Sequence, residues 1–429
     1  MLSFGEGGIS SREHDRDIMA HIGIVGGGII GCATALYLLE KGHSVTVIER
    51  DAGGLPASVG NAGILAVPEI DPIARPGMLL AAPKWLLDPL GPLTLRWQDL
   101  PSLMPWLMRF LLSARPAQVE RTRQALLFLM KTALADHERM GEMVGISGHI
   151  RRTGALTVFD TETARDKAFL REEENARLVG CAAEKLSAEE ARSRVPALAG
   201  TFAGAIFNDG YRTFEYPLTL LRRLQTSLRE RATLIDAAVS RVGQTPDGIT
   251  VSTEGGNRHV FDKVAITAGI WSRDLVSKLG LKLQLETERG YNTTFMNPPV
   301  TIEMPLFFSE HGFVATPFEN ALRVGGAVEL ARPEAPANYA RAAAMRRKMR
   351  RYMPDLPREG GTEWMGRRPS TPDSLPVIGL HPGDPRIAFA FGHGHLGLTL
   401  SAVTGRHTAD LLSDTQDAAL APFSIARFQ

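Results

Sequence analysis

Apolar residues along this chain fall into two patterns, short continuous runs of strand length and longer stripes at helical spacing. The first pair sets the theme. His21 to Val25 is a compact apolar run, the glycines Gly26, Gly28 and Gly31 follow at once, and a helical stripe passes through Ala33, Leu36, Leu38 and Leu39. A second run, Ser44 to Ile48, ends in Glu49. Further on, charged helices are expected over 120–144 and 161–178, and a short one opens at Ser187, whose hydroxyl and Glu190 form a capping box. A helix is read over 214–232. Strands are expected at 154–159, 203–207, 306–308, 313–316 and 322–328, separated by turn residues, and at 233–235, 237–242, 263–266 and 387–391. The last helix covers 401–412.

These elements predict two sheets. One is parallel and built from strand–helix units, and the other is mixed and largely antiparallel. The expected fold is an α/β, Rossmann-like nucleotide-binding domain, discontinuous in sequence, with an inserted α+β substrate domain. Residues 21–80, 212–276 and 365–429 are assigned to the first, residues 81–211 and 277–364 to the second, and 1–20 to a polar tail in which Met19 is an alternative start.

The glycine spacing carries the first chemistry. Gly26 permits a tight turn, Gly28 lets backbone approach a pyrophosphate, and Gly31 lets the helix opened by Ile29 and Ile30 pack on the strand. The helix N-terminus presents unpaired donors to the phosphates. Glu49, followed by Arg50, stands where a carboxylate accepts hydrogen bonds from both ribose hydroxyls, which argues against a 2′-phosphate. The next loop offers Ser58, Asn61, Ala62 and Gly63 near the phosphates, with a plain surface loop as the alternative reading. After strand 263–266 comes Thr267-Ala268-Gly269-Ile270-Trp271, a second small-residue turn. Near the end lies a third glycine-rich turn, Gly394-His395-Leu396-Gly397-Leu398-Thr399, opening onto a helix. Its positive end suits a ring that accepts electrons, which favours FAD over a nicotinamide.

Composition narrows the rest. With 429 residues, 48 basic and 47 acidic, the net charge is +1, and no global field favours nucleic acid. Two cysteines, Cys32 and Cys181, fit a reducing compartment and provide neither a disulfide framework nor a cysteine metal site. His393 and His395 have no carboxylate close in sequence, so no metal is expected. A GxSxG elbow and a Cys/His pair are both absent. Met78–Leu80, Trp85–Leu87 and the segment 100–112 are apolar, the last flanked by Arg96, Arg109 and Arg115. That segment reads either as a core helix or as an amphipathic element on a membrane surface. Arg341 to Arg351 is strongly basic and reads as a solvated helix face. The expected location is cytoplasmic, with peripheral contact on the inner face of the cytoplasmic membrane as the variant.

The stretch 364–379, WMGRRPSTPDSLPVIG, presents Arg367 and Arg368 on a proline-stiffened path, and arginine grips a carboxylate bidentately. Together with GIVGGGIIG, SVGNAG, TAGIWS, ERGYN and GHGHLGLT, this resembles the FAD-dependent D-amino-acid oxidase superfamily, closest to bacterial D-amino-acid and D-hydroxyproline dehydrogenases. The likeness runs from His21 to the C-terminal helix. It implies a flavoenzyme that oxidises a D-amino or D-imino acid by hydride transfer from Cα–H to flavin N5, giving an imino acid and reduced flavin. It further implies that Arg368 holds the substrate carboxylate, that 394–399 touch the flavin pyrimidine edge and that Val239 meets adenine. Arg367 stands where the family more often has leucine or phenylalanine. Neither cysteine is near the C-terminal flavin loop, so FAD is expected to be non-covalent. Tyr291, Tyr216 and His311 are candidate pocket groups. Implied partners are the amino acid and a quinone or other electron acceptor; the alternatives are a peroxide-forming sarcosine/glycine-type oxidase and the flavin-holding subunit of a hetero-oligomer.

Overall fold

The computed structural model describes residues 19–51, 56–76, 91, 93–146, 148–214 and 216–429. Most of the polar tail and the apolar pieces Met78–Leu80 and Trp85–Leu87 lie outside the described residues. One sheet has six strands, in spatial order Thr233–Asp236, Ser44–Glu49, His21–Val25, Lys263–Ile266, Asp384–Phe391 and Val377–His381. The first five run parallel and the last is antiparallel. Ile24 pairs with Val47 on one side and Ala265 on the other, and all three are fully buried. Helices cover one face and a three-stranded antiparallel sheet, Val239–Thr245, Gly248–Thr253 and Arg258–Phe261, packs on the other, so these strands are apolar runs rather than alternating ones.

The helix Ile29–Glu40 is apolar nearly all round because it is buried nearly all round. It stops at Lys41 and Gly42, where φ of +85° takes the chain out of the helix and the Gly42 and His43 amides close on the Leu39 and Leu38 carbonyls. It packs against helix Ser401–Leu412 at close range. A Cβ added to Gly405 would lie 2.7 Å from the Ala33 carbonyl carbon and Cβ.

The larger sheet has nine strands, running Thr362–Ser370, Glu286–Met296, Ala321–Leu330, Phe313–Phe318, Leu306–Phe308, Ala155–Phe159, Gly204–Asn208 and Ala183–Ser187, with Leu93–Leu95 beside Ala321–Leu330. Leu93–Leu95 and the Leu306–Phe308/Ala155–Phe159 pair are parallel; the other pairings are antiparallel. The fold is thus the expected Rossmann-like unit joined to a mixed, largely antiparallel sheet. The proline-rich stretch differs in detail: it is an edge strand of the larger sheet, and Pro369 is tolerated there because an edge amide needs no ladder partner. Phe214 likewise ends a strand, Tyr211–Phe214, and the helix begins at Pro217, a residue suited to the first helical position.

The helix Leu100–Ser113 buries one side and exposes the other. Leu103 and Trp106 are buried against Leu330, and the Trp106 indole donates to the Ser370 carbonyl at 3.0 Å. Met104, Met108, Leu111 and Leu112 face outward, 42–52% exposed. Among the described residues no helix is long and apolar enough to cross a membrane.

The close helix crossing makes a direct prediction. Gly405→Val forces side-chain volume into the Ala33 backbone and should lower unfolding free energy by about 2–3 kcal/mol, read from urea midpoints, with the far-UV spectrum retained.

Candidate functional site

A cleft of about 460 Å³ is lined by residues of both sheets. At one end stand the glycine turns. Gly26 has φ of +108°, and a Cβ there would sit 2.8 Å from the Thr267 carbonyl oxygen. The Thr267 hydroxyl bonds to the Val25 and Gly26 carbonyls at 3.0 and 2.8 Å, fastening the two turns together. Gly31 lies beneath the cleft, where a Cβ would come within 1.9 Å of the Gly26 carbonyl oxygen. Gly28 faces open space except for Ser58 Oγ, 3.4 Å from a Cβ built there, and that hydroxyl accepts the Ile29 amide at 3.1 Å. Glu49 Oε2 accepts the Gly27 amide at 2.5 Å. Ile30 also lines this end, and the Arg50 guanidinium lies 3.4 Å over the Trp271 ring beside Val239, Ala268 and Gly269. A Cβ-free phosphate approach, an open helix N-terminus and a carboxylate at the end of the second strand fit a bound dinucleotide.

The other end is built from one face of the Thr362–Ser370/Glu286–Met296 strand pair. Trp364, Gly366 and Arg368 alternate along the edge strand and pair with Asn292, Gly290 and Glu288. A Cβ on Gly290 would stand 2.3 Å from Arg368 Nη2, so the guanidinium lies flat on the Gly290 backbone. The Trp364 indole does the same over Gly366 and Gly60, where added Cβ atoms would approach it to 1.9 and 2.0 Å. Burial lowers the Arg368 pKa from its usual value, and the nearby Glu288 charge opposes that shift. Burial also raises Glu288, against the pull of His395 and Arg368. Arg367 is committed elsewhere, its Nε donating to the Pro333 carbonyl at 2.7 Å.

The two ends meet through the C-terminal loop. An antiparallel bridge joins Ser370 to His393, and Gly392 and Gly394 carry φ of +84° and +54°. Gly394, His395, Gly397 and Leu398 line the cleft, whereas Leu396 is packed into the core. His393 is buried, bonded to the Thr404 hydroxyl at 2.9 Å, and desolvation drops its pKa to about 3, which keeps it neutral. Thr399 also lies off the cleft, accepting the Ala66 amide at 3.0 Å.

Several expectations need correction. Asn61 reaches the cleft, but both ends of its amide close its own loop, onto the Ser58 carbonyl and the Gly63 amide. Ala62 and Gly63 do not line the cleft; Gly63, at φ of +65°, lies under the Phe318 ring. Tyr291, Tyr216 and His311 are not cleft groups either. Tyr291 follows Gly290, so strand alternation sends it to the opposite face, where its hydroxyl donates to Glu329 at 2.5 Å. His311 is held by Asp160 and Tyr352, each at 2.8 Å. The Tyr216 hydroxyl accepts from Arg323 at 3.2 Å. Conversely, Trp364, Gly60, Gly290 and Gly366 line the cleft and were not singled out. The Trp-x-Gly-x-Arg alternation was the available signal, since it places all three on one strand face.

Behind His395 lies a polar group. His395 Nε2 is 3.7 Å from Glu69, whose other oxygen accepts the Tyr211 hydroxyl at 3.3 Å. Desolvation, then the Glu69 charge, raises the neighbouring Glu172 to about 8.

Glycine turns, the Glu49 carboxylate and an arginine-bearing sheet edge surround one cleft, the arrangement of a two-sheet, dinucleotide-dependent oxidoreductase. The model of the FAD dependent oxidoreductase family (DAO) matches residues 21–411, and the chain belongs to that family. It is 36% identical to a D-amino-acid oxidase of Bradyrhizobium diazoefficiens over 95% of this chain and 99% of the other. It is 30% identical to a D-amino acid dehydrogenase of Methylobacterium sp. strain 4-46 over 91% and 94%. Among solved structures it is similar to a glycine oxidase from Geobacillus kaustophilus, with a TM-score of 0.74 at 26% identity and coverage of 95% and 99%.

Two outcomes follow from this geometry. Gly290→Ala should displace the Arg368 guanidinium and weaken binding of a carboxylate ligand roughly tenfold or more while FAD stays bound, as read by ligand-induced changes in the flavin spectrum. Glu172 has an unfolded-state pKa of about 4.3. Between that value and about 8 the folded chain keeps a proton that the unfolded chain has released. Stability therefore falls as pH rises through this window. Glu172→Gln should reduce that slope, measured as urea midpoints at the two ends of the window.

Proposed function

We propose that the chain is an FAD-dependent dehydrogenase of D-amino or D-imino acids, with D-hydroxyproline and D-proline-like compounds favoured. The observation that carries the reading is Arg368, a cation laid flat on Gly290 at the head of the cleft. The names of the 36% and 30% identical relatives support the D-amino-acid class, and the motif likeness supports the cyclic substrates. FAD supplies the two-electron acceptor when bound. Gly26, Gly28, Ile29, Ile30 and Ser58 would hold its phosphates, Glu49 its ribose, Val239 and the 267–271 turn its adenosine side, and 394–398 its ring. The FAD-binding part is read as 21–80, 212–276 and 365–429, and the substrate part as 81–211 and 277–364. Cys32 is buried within the first helix, in keeping with non-covalent FAD.

Arg368 fixes the substrate carboxylate and so orients Cα and its hydrogen. Gly290 and Gly366 leave the floor beside it free of side chains. The product is an imino acid; water hydrolyses an open-chain imine to a 2-oxo acid and ammonia, while a cyclic substrate gives a pyrroline carboxylate. Electrons pass to a quinone or another acceptor. The outward methionines and leucines of Leu100–Ser113 support a peripheral contact on the inner face of the cytoplasmic membrane, or with a partner subunit. A second reading, an oxidase that forms hydrogen peroxide, is favoured by the name of the 36% identical relative and by the glycine oxidase likeness.

The test is anaerobic. Purified holoprotein is mixed with D-amino acids, cis-4-hydroxy-D-proline, sarcosine and the L counterparts while flavin absorbance is followed. Bleaching by a D-compound, lost in Arg368→Ala, is expected; no bleaching by any compound overturns the reading. Peroxide release in air, compared with quinone reduction, separates oxidase from dehydrogenase.

A further inference from the structure

The loop from Ser58 to Gly63 has the cleft on one side and the larger sheet on the other. Three successive carbonyls of this loop are taken up by side chains of that sheet. Arg323 Nη1 donates to the Val59 carbonyl at 3.2 Å and to the Asn61 carbonyl at 2.5 Å, and Asn292 Nδ2 donates to the Gly60 carbonyl at 2.9 Å. In a trans peptide the carbonyl and the following N–H point in opposite directions. Drawing these carbonyls toward the sheet therefore turns the amides of Gly60, Asn61 and Ala62 the other way. None of those amides is hydrogen-bonded among the described residues. Gly60 and Asn61 line the cleft beside Ser58. Successive free amides on one side of a loop form a concave donor array of the type that binds anions.

Arg323 adds charge to this array. It is 5% exposed, and its remaining partners are the Thr294 hydroxyl at 2.9 Å and the Tyr216 hydroxyl at 3.2 Å. None of its hydrogen-bond partners is an anion, and the rings of Tyr216 and Phe318 lie 5.3 and 5.1 Å from its guanidinium carbon. Burial without a carboxylate pulls its pKa below the usual arginine value, as expected for a cation awaiting a counter-charge. The unpaired cation is the observation that points to an anionic ligand on the far side of the loop.

We propose that Arg323 and Asn292 are positioning residues for the FAD pyrophosphate, holding the 58–63 loop with its amides toward the cleft, so that the larger sheet sets cofactor affinity from outside the glycine turns. This rests on membership of the FAD family and is independent of which substrate is oxidised. Neither residue touches the cofactor directly; each acts through the loop backbone.

The test measures FAD release from diluted holoprotein, and its rebinding, by flavin fluorescence. Arg323→Met should weaken FAD binding about tenfold or more, because several hydrogen bonds from a charged donor are lost together. Asn292→Ala should weaken it roughly threefold, and Arg323→Lys should fall between wild type and Arg323→Met. Competition separates this role from a general brace. ADP carries the diphosphate and adenosine does not, so the variants should lose affinity for ADP and keep that for adenosine. Unchanged FAD affinity in a folded Arg323→Met protein overturns the proposal, as does equal loss of ADP and adenosine binding. If Arg323→Met does not fold, Asn292→Ala decides by the same two measurements, and wild-type values there overturn it.

Discussion

The pairing of the edge strand Thr362–Ser370 with Glu286–Met296 is the interaction on which the cleft depends. It sets which side chains share a face, and the cross-strand glycines Gly290 and Gly366 let Arg368 and Trp364 lie flat instead of standing up into the space. The same strand does not end within its own sheet. The Ser370–His393 bridge ties it to the loop that closes the nucleotide sheet, and the Trp106 indole on the Ser370 carbonyl ties it to the helix Leu100–Ser113. A shift of one residue in this register would send Arg368 to the opposite face and lay Arg367, which already borders the cleft, in its place. The placement of Arg368 in the cleft is therefore a property of sheet register as much as of residue type.

The glycine turn, Glu49 and the small-residue turn at 267–271 were legible in the sequence because each is local: a strand, a turn and the start of a helix lie within a few residues. Arg368 was singled out through the likeness of its G-x-R-P stretch to the family, whereas its contacts, Gly290 and Glu288, lie far away in the chain. The pocket aromatics were not legible, because their partners lie far away in the chain. Tyr291 is decided by Glu329, His311 by Asp160 and Tyr216 by Arg323, separations of 38, 151 and 107 residues. Strand parity could have placed Tyr291 opposite Gly290, but only once the face carrying Gly290 was known. The prolines of 364–379 read as an extended path, and the structure makes residues 362–370 an edge strand, which accommodates Pro369 since one side of its ladder is unpaired.

The apolar helix Leu100–Ser113 shows why the sequence left two readings open. Its Trp106 is spent inward, on the end of the strand that carries Arg368, while its methionines and leucines remain outside. A single amphipathic stripe cannot distinguish these arrangements, because both need apolar residues at helical spacing. What separates them is which residues find partners from other parts of the chain, and that is tertiary information.

Electrostatics gives the cleft its chemical direction. Arg368 and Arg323 are both desolvated cations without a hydrogen-bonded carboxylate, the first lining the cleft and the second behind the 58–63 loop. A buried charge lacking a partner costs stability, and a protein tolerates that cost where a ligand supplies the opposite charge. Glu288 only partly offsets the Arg368 charge, because burial pushes that carboxyl toward its neutral form. Under the proposals above, a diphosphate would meet the loop held by Arg323 and a substrate carboxylate would meet Arg368 at the sheet edge. Binding of either relieves desolvation already incurred in folding, so each ligand should stabilise the folded chain more than its contact area alone implies.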